Sequence, residues 1–233
     1  MRNVIKALLI AVLIPVAGHA TTTYNAVSDF SIVSNPNSVW SYSLGTPGGV
    51  ASLDLHSGTN YSGHDDWKFW VPDFLTTLPV VAYSPTGTGF STIPSLPLDV
   101  LEMHPGNADN EASIVQFTAL TAGEYKFSGF FEHVDSGGGN GVNVSVYEGS
   151  TSLYGAFIPG ASYEVPFNFD GTVNLAAGQS LTFNVARNGQ FNDDSTGLNL
   201  TVTSVTPEPS SLLLFGTGIL GVATAVRRKF SAV

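Results

Sequence analysis

Leu181-Thr182-Phe183-Asn184-Val185-Ala186 sets an apolar side chain at every second position. Successive side chains of a β-strand point to opposite faces, so this spacing predicts a half-buried strand. The alternation recurs in Val142-Asn143-Val144-Ser145-Val146-Tyr147 and in Leu198-Asn199-Leu200-Thr201-Val202-Thr203. Two more strands are expected at 114–120 and 125–133, with Thr121-Ala122-Gly123-Glu124 as their turn. Ala176-Ala177-Gly178-Gln179 marks another turn, and Asn188-Gly189 opens a third turn region. Helical periodicity is absent between 21 and 206. Short strands at this spacing predict an all-β fold, a two-sheet jelly-roll sandwich.

Outward from these strands the pattern weakens. Strands at 30–33 and 39–44 are expected around the turn Asn35-Pro36-Asn37. From 45 to 110 Pro and Gly are frequent, with apolar patches at 67–71, 78–83 and 98–103. That stretch reads as short strands and long loops decorating one end of the sandwich. Gly137-Gly138-Gly139-Asn140-Gly141 reads as a flexible hairpin tip, because no helix follows to supply a dipole for phosphate. No linker or repeat divides 21–206, so one domain is expected there.

The ends of the chain differ in kind. Arg2 and Lys6 precede an apolar run from 7 to 16, followed by Gly18-His19-Ala20. A basic start, a short apolar core and a small-x-small site predict a secretory signal peptide over 1–20, cut after Ala20 and exported through the Sec machinery. The core is broken by Pro15 and is far short of the ~20 residues of a membrane span. Near the other end, an apolar run from 212 to 226 stops at Arg227-Arg228-Lys229. With Ser210 and Ser211 it predicts a short transmembrane helix over 210–226, its basic end held in the cytoplasm. Gly216-Thr217-Gly218-Ile219-Leu220-Gly221 spells a dinucleotide-binding pattern, but a proline-rich stop precedes it where a strand is required. Small residues in a membrane helix account for it.

Pro207-Glu208-Pro209, then a Gly-rich apolar helix, then an arginine cluster, resembles the PEP-CTERM sorting signal over 207–233. The resemblance implies recognition by an exosortase, a membrane cysteine protease or transpeptidase of Gram-negative bacteria. It also implies a place in the cell envelope, on the cell surface or in an extracellular, polysaccharide-rich biofilm matrix. Only Phe230 to Val233, continuing past the basic cluster, depart from the pattern. Two prolines forbid helix at the motif and keep it extended.

Of the 233 residues only 11% are charged, against ~25% for an ordinary soluble domain. There is no cysteine, which excludes disulfides, thiolate zinc sites and a cysteine nucleophile. Between 21 and 206 three bases, Lys68, Lys126 and Arg187, face 17 acids, a net charge of −14. Such a surface repels nucleic acid and suits cations or neutral sugars.

A second resemblance rests on several short stretches. They are Asp29-Phe30-Ser31, Val39-Trp40-Ser41-Tyr42, His104-Pro105-Gly106, Val115-Gln116-Phe117-Thr118, Ala122-Gly123-Glu124-Tyr125, Leu175-Ala176-Ala177-Gly178 and Asp194-Ser195-Thr196-Gly197-Leu198. Together they resemble a galactose-binding-like jelly roll common in exported PEP-CTERM proteins, spanning roughly 25–206. It transfers no functional residue.

No Gly-x-Ser-x-Gly elbow and no His-Glu-x-x-His helix is present, and no carboxylate pair stands out, so no catalytic residue is named. Aromatic residues crowd the first half. Trp70, Trp67, Tyr61 and His104 are the candidate ligand residues, since sugar faces stack on rings while polar groups fix hydroxyls. Trp70 is expected to be the exposed one, and Trp40 to be core. Trp67 and Trp70 cannot both face one way on a strand. Clustered loop oxygens make calcium the expected structural cofactor, with Asp193 and Asp194 as first candidates and Asp109 and Glu111 as second. The expected function is a non-catalytic surface or matrix protein that binds carbohydrate or exopolysaccharide. A secreted glycan-active hydrolase and a purely structural matrix component stay open as alternatives.

Overall fold

All the alternating segments are strands in the computed structural model, which describes residues 19–49, 51–52, 55–61, 63–73, 78–207, 216–221 and 227. In chain order the first eight are β1 (His19–Asn25), β2 (Trp40–Gly45), β3 (Ala51–Ser52), β4 (His56–Tyr61), β5 (His64–Val71), β6 (Val80–Tyr83), β7 (Thr88–Phe90) and β8 (Ile93–Ser95). Then come β9 (Leu101–His104), β10 (Ala112–Thr118), β11 (Gly123–His133), β12 (Val142–Glu148), β13 (Thr151–Ile158), β14 (Phe167–Leu175), β15 (Ser180–Arg187) and β16 (Thr196–Pro207).

Two large sheets form the sandwich. One runs β14-β11-β16-β9-β6-β5-β4, with β1 also paired to β16; the other runs β13-β12-β15-β10-β2-β3. The hairpin β7-β8 is a separate pair. In the second sheet β10 pairs antiparallel with β15, Val115 opposite Phe183, and with β2, Val115 opposite Tyr42. In the first sheet β11 and β14 pair antiparallel over nine residues, Gly123 to Phe131.

Burial follows the alternation. Val142, Val144, Val146, Leu181, Phe183 and Val185 from one sheet meet Phe127, Phe131, Phe169, Leu198, Leu200 and Val202 from the other in one apolar cluster. Trp40 lies inside it, edge-on to Phe117 at 5.4 Å, with its indole N–H donated to Asp29 Oδ2 at 3.1 Å. Trp40 is core, as expected. Thr22–Ser204 form a compact unit that contains this cluster and a second one described below.

Three expectations need correction. The segment 30–33 is not a strand; Phe30 instead packs its ring on Tyr42 at 5.0 Å. The region 45–110 is not decoration at one end. It supplies β4, β5, β6 and β9, four of the eight strands of the first sheet. The run 137–141 is not a hairpin tip, because β11 and β12 lie in different sheets. It crosses between them and packs tightly. A Cβ on Gly139, whose φ is +38°, would sit 2.4 Å from the Asp193 carbonyl oxygen. Glycine is required there for close approach as well as for backbone conformation.

The signal segment 1–20 falls almost wholly outside the described residues, as does most of the membrane helix expected over 210–226. Among the described residues no helix is long and apolar enough to cross a membrane.

Candidate functional site

The first sheet buries both of its faces around β5, β6 and β9. Trp70, Val81, Leu101 and Met103 point into the sandwich core. Trp67, Phe69, Val71, Val80 and Ala82, on the opposite face, join Ile93, Leu96 and Val100 in a second apolar cluster. Period two makes this possible, since neighbouring residues of one strand serve different cores. The hairpin β7-β8 covers the outer face. Trp67 donates its indole N–H to the Thr88 carbonyl at 2.8 Å, and its ring meets Phe90 edge-on at 4.8 Å. Ser136 N–H holds the far end of the hairpin through the Thr92 carbonyl at 2.8 Å.

Beside the hairpin is a cavity of about 160 Å³. Tyr61 and Phe90 supply ring surface, and Glu102, His104, Asp135 and Asp193 supply titratable groups. Hydroxyls come from Ser91, Thr92 and Ser195. Ser91 and Asp193 both hold left-handed backbone, with φ of +51° and +56°, conformations uncommon outside glycine and asparagine-like residues.

The electrostatics are set by burial without a neighbouring base. Glu102 is 1% exposed and its Oε2 has no hydrogen-bond partner. Burial pushes its carboxyl up to about 8, with Ser195 opposing the shift and the charge of Asp135 adding to it. Burial likewise raises Asp194 to about 6, against the Gly141 N–H that its Oδ1 accepts at 2.9 Å. His104 and His133 are pulled below the usual imidazole range by burial, with Asp135 pulling the other way in both. His104 Nδ1 lies 2.8 Å from the Pro105 carbonyl oxygen.

Three of the residues singled out from sequence, Tyr61, His104 and Asp193, meet at this cavity. Trp67 stands behind it, fully buried. Trp70 faces the other way and is also buried, stacked on Tyr42 at 6.2 Å with its N–H given to the Ser31 carbonyl at 2.8 Å. The expectation of an exposed Trp70 is therefore corrected: inward register on β5 puts it between the sheets. The two tryptophans do face opposite ways.

The carboxyls named for calcium each hold a protein donor. Asp193 Oδ1 accepts the Thr92 hydroxyl at 3.3 Å, and Glu111 Oε2 accepts the Ala108 N–H at 3.0 Å. Asp109 pairs with Arg187 at 2.9 Å. Among the described residues no three acidic or imidazole side chains converge where they could hold a metal ion. Asp109 is 91% exposed, so its ion pair is weak. Asp109→Asn is expected to change unfolding free energy by less than about 1 kcal/mol in urea titration.

Glu102, Asp135 and the hairpin residues were not identified from sequence. One signal was present: Val100-Leu101-Glu102-Met103 places an acid inside an apolar patch, where a carboxylate is rarely buried without purpose. A second, larger hollow of about 580 Å³ lies over β10 and β15 and includes Gln116, Glu148, Gln179 and Thr182. Gln116 there is committed to Thr118 and Ser180, both at 3.2 Å, and no ring lines the hollow among the described residues.

Comparison with solved structures finds distant likenesses. One is CBM51 from Clostridium perfringens GH95 in complex with methyl-galactose, 11% identical with a TM-score of 0.37, over 78% of this chain and 100% of that one. Another is a family 35 carbohydrate-binding module from Clostridium thermocellum, 11% identical with a TM-score of 0.30, over 44% and 75%. A third is CBM35 from Cellvibrio japonicus Abf62, 14% identical with a TM-score of 0.32, over 51% and 81%. At that distance the likeness carries no ligand over. No curated protein matches the chain by sequence. The tail is different, because its match rests on the motif itself and includes Pro207, Glu208 and Pro209, the last two lying outside the described residues. Residues 205–229 are a PEP-CTERM protein-sorting motif, which marks the chain for export and the cell surface.

Proposed function

We propose that this chain is a non-catalytic glycan-binding protein of the cell surface or extracellular matrix, processed by an exosortase in a Gram-negative bacterium. The observation that carries the binding part is the cavity beside β7-β8. Phe90 and the largely buried Tyr61 line it with apolar rings, while hydroxyls and carboxyls stand around it to accept and donate hydrogen bonds. Apolar faces with a few placed polar groups are what a sugar ring requires. Its volume of about 160 Å³ is below the ~300 Å³ at which drug-sized pockets begin, so the ligand is one residue of a glycan.

Two measurements test this. Intact mass of the native protein is expected to lack residues 1–20 and the segment beyond the Pro207-Glu208-Pro209 motif; a mass retaining 212–233 would leave an unprocessed anchor. Residues 21–206, which include the compact unit, are expected to bind on a glycan array and to release no reducing sugar. Turnover would make the protein a hydrolase, and neither binding nor turnover would make it a structural matrix component. Tyr61→Ala is expected to weaken array binding about tenfold, about 1.4 kcal/mol; unchanged binding would remove this cavity from the reading.

A further inference from the structure

We propose that the cavity under β7-β8 takes a single sugar residue carrying a free, protonated amine, its ring against Tyr61 and Phe90 and its ammonium among Glu102, Asp135 and Asp193. This deepens the glycan-binding reading above and rests on it. Four observations carry it.

The first is the sign of the walls. Among the described residues three carboxyl side chains line the cavity and no lysine or arginine does. Of the domain's three bases, Arg187 is engaged by Asp109, and neither Lys68 nor Lys126 lines it. A uronic acid or a phosphorylated sugar would be repelled. The second is Glu102 itself. Its Oε2 is buried, without a partner, on a side chain that lines the cavity. A buried acceptor left unmade costs about 1–3 kcal/mol, more if charged, and a donor arriving from the cavity removes that cost. The third is the failure of the commonest alternative. The acids and imidazoles among the described residues do not converge tightly enough for a metal ion. An ammonium is less demanding: it has three donors on one nitrogen and no fixed coordination polyhedron. The fourth is size, which admits one ring.

The titratable groups facing the site come from several elements. They are Glu102 and His104 on β9, His133 and Asp135 at the end of β11, Asp193 and Asp194 before β16, and Tyr61 on β4. His64 on β5 approaches Phe90 at 5.6 Å. At pH 7 burial keeps the Glu102 carboxyl protonated. An arriving ammonium favours its ionised form, so binding is expected to release a proton.

Isothermal titration of residues 21–206 with glucosamine, N-acetylglucosamine, glucose and calcium chloride tests the proposal. Glucosamine is expected to bind about tenfold or more tightly than the two uncharged sugars. Its apparent enthalpy is expected to differ between phosphate and Tris buffers, because a proton is released. Asp135→Asn, which keeps an oxygen to accept the Gly137 N–H that Asp135 Oδ1 takes at 2.9 Å, is expected to weaken glucosamine about tenfold and to weaken it more than glucose. Glu102→Gln is expected to abolish the buffer dependence, with melting curves verifying that both variants fold. Equal affinity for all three sugars would overturn the amine and leave the glycan site standing. No sugar binding would overturn both. Calcium binding that glucosamine competes with would replace the proposal by a metal site.

Discussion

Glu102→Gln is expected to stabilise the protein at alkaline pH while changing little at pH 5. Glu102 is buried on β9 and its carboxyl is raised from 4.5 to about 8 by desolvation. A raised acid favours the fold while protonated. Its contribution is complete below the unfolded value, near 4.5, and is lost as pH rises through about 8. At ~1.4 kcal/mol per unit the loss is of order 3–5 kcal/mol, much of a typical domain's total. Asp194 and Glu132, both raised to about 6, add the same sign over a lower window. His104 and His133 act oppositely: their depressed values mean stability is lost as pH falls below the ordinary imidazole range. Urea unfolding is therefore expected to show greatest stability on the acid side of neutrality, a decline from about pH 5 and a levelling above about pH 8. Glutamine has the same shape and no proton to lose, so the variant's curve is expected to flatten above pH 6. Parallel curves for the two proteins would mean that Glu102 is solvated.

Trp67→Ala is expected to lower stability by about 3–5 kcal/mol, the range for deleting a large core ring, and to open the hairpin. Trp67 is fully buried. Its ring carries Phe90 and lies 6.2 Å from Tyr61, and its N–H fixes Thr88. Hydrogen exchange is expected to show lost protection at 88–95 while β12 and β15 keep theirs, because those strands belong to the other cluster. Trp67→Phe is expected to keep part of the packing and lose the donor, falling between the two. A Trp67→Ala protein with wild-type stability and altered sugar binding would show the ring to be a ligand platform.

The second half of the sandwich was legible in sequence because its strands present one apolar face. Val142, Val144 and Val146 alternate with polar residues, and the structure buries the valines. The first half was not, and the reason lies in β5. His64-Asp65-Asp66-Trp67-Lys68-Phe69-Trp70-Val71 serves two cores at once, so its apolar residues fall on both faces and the period disappears. The candidate site shows the same division. Tyr61, His104 and Asp193 were nominated as single residues, and only the fold of β4, β9 and the loop before β16 brings them to one cavity. Trp70 was misplaced because burial on a strand depends on register, which a stretch this rich in aromatics does not declare. Glu102 was hidden because an acid in an apolar patch reads as a strand edge until a hairpin is seen to cover it.

The pairing of β16 bears on how the domain meets load. Its first residues, 196 to 198, pair with β9, and Leu200 accepts the Ala26 N–H at 3.0 Å just beyond β1. On its other side runs β11. Within the sheet, β16 therefore has a neighbouring strand on each flank, β11 on one and β9 on the other. Tension applied through the C-terminal end pulls along the strand, so ladder bonds on both flanks are sheared together and none is peeled singly. A surface protein held by that end in moving fluid would give way abruptly and at high force. A pull across the strand would instead break the ladder bond by bond at low force.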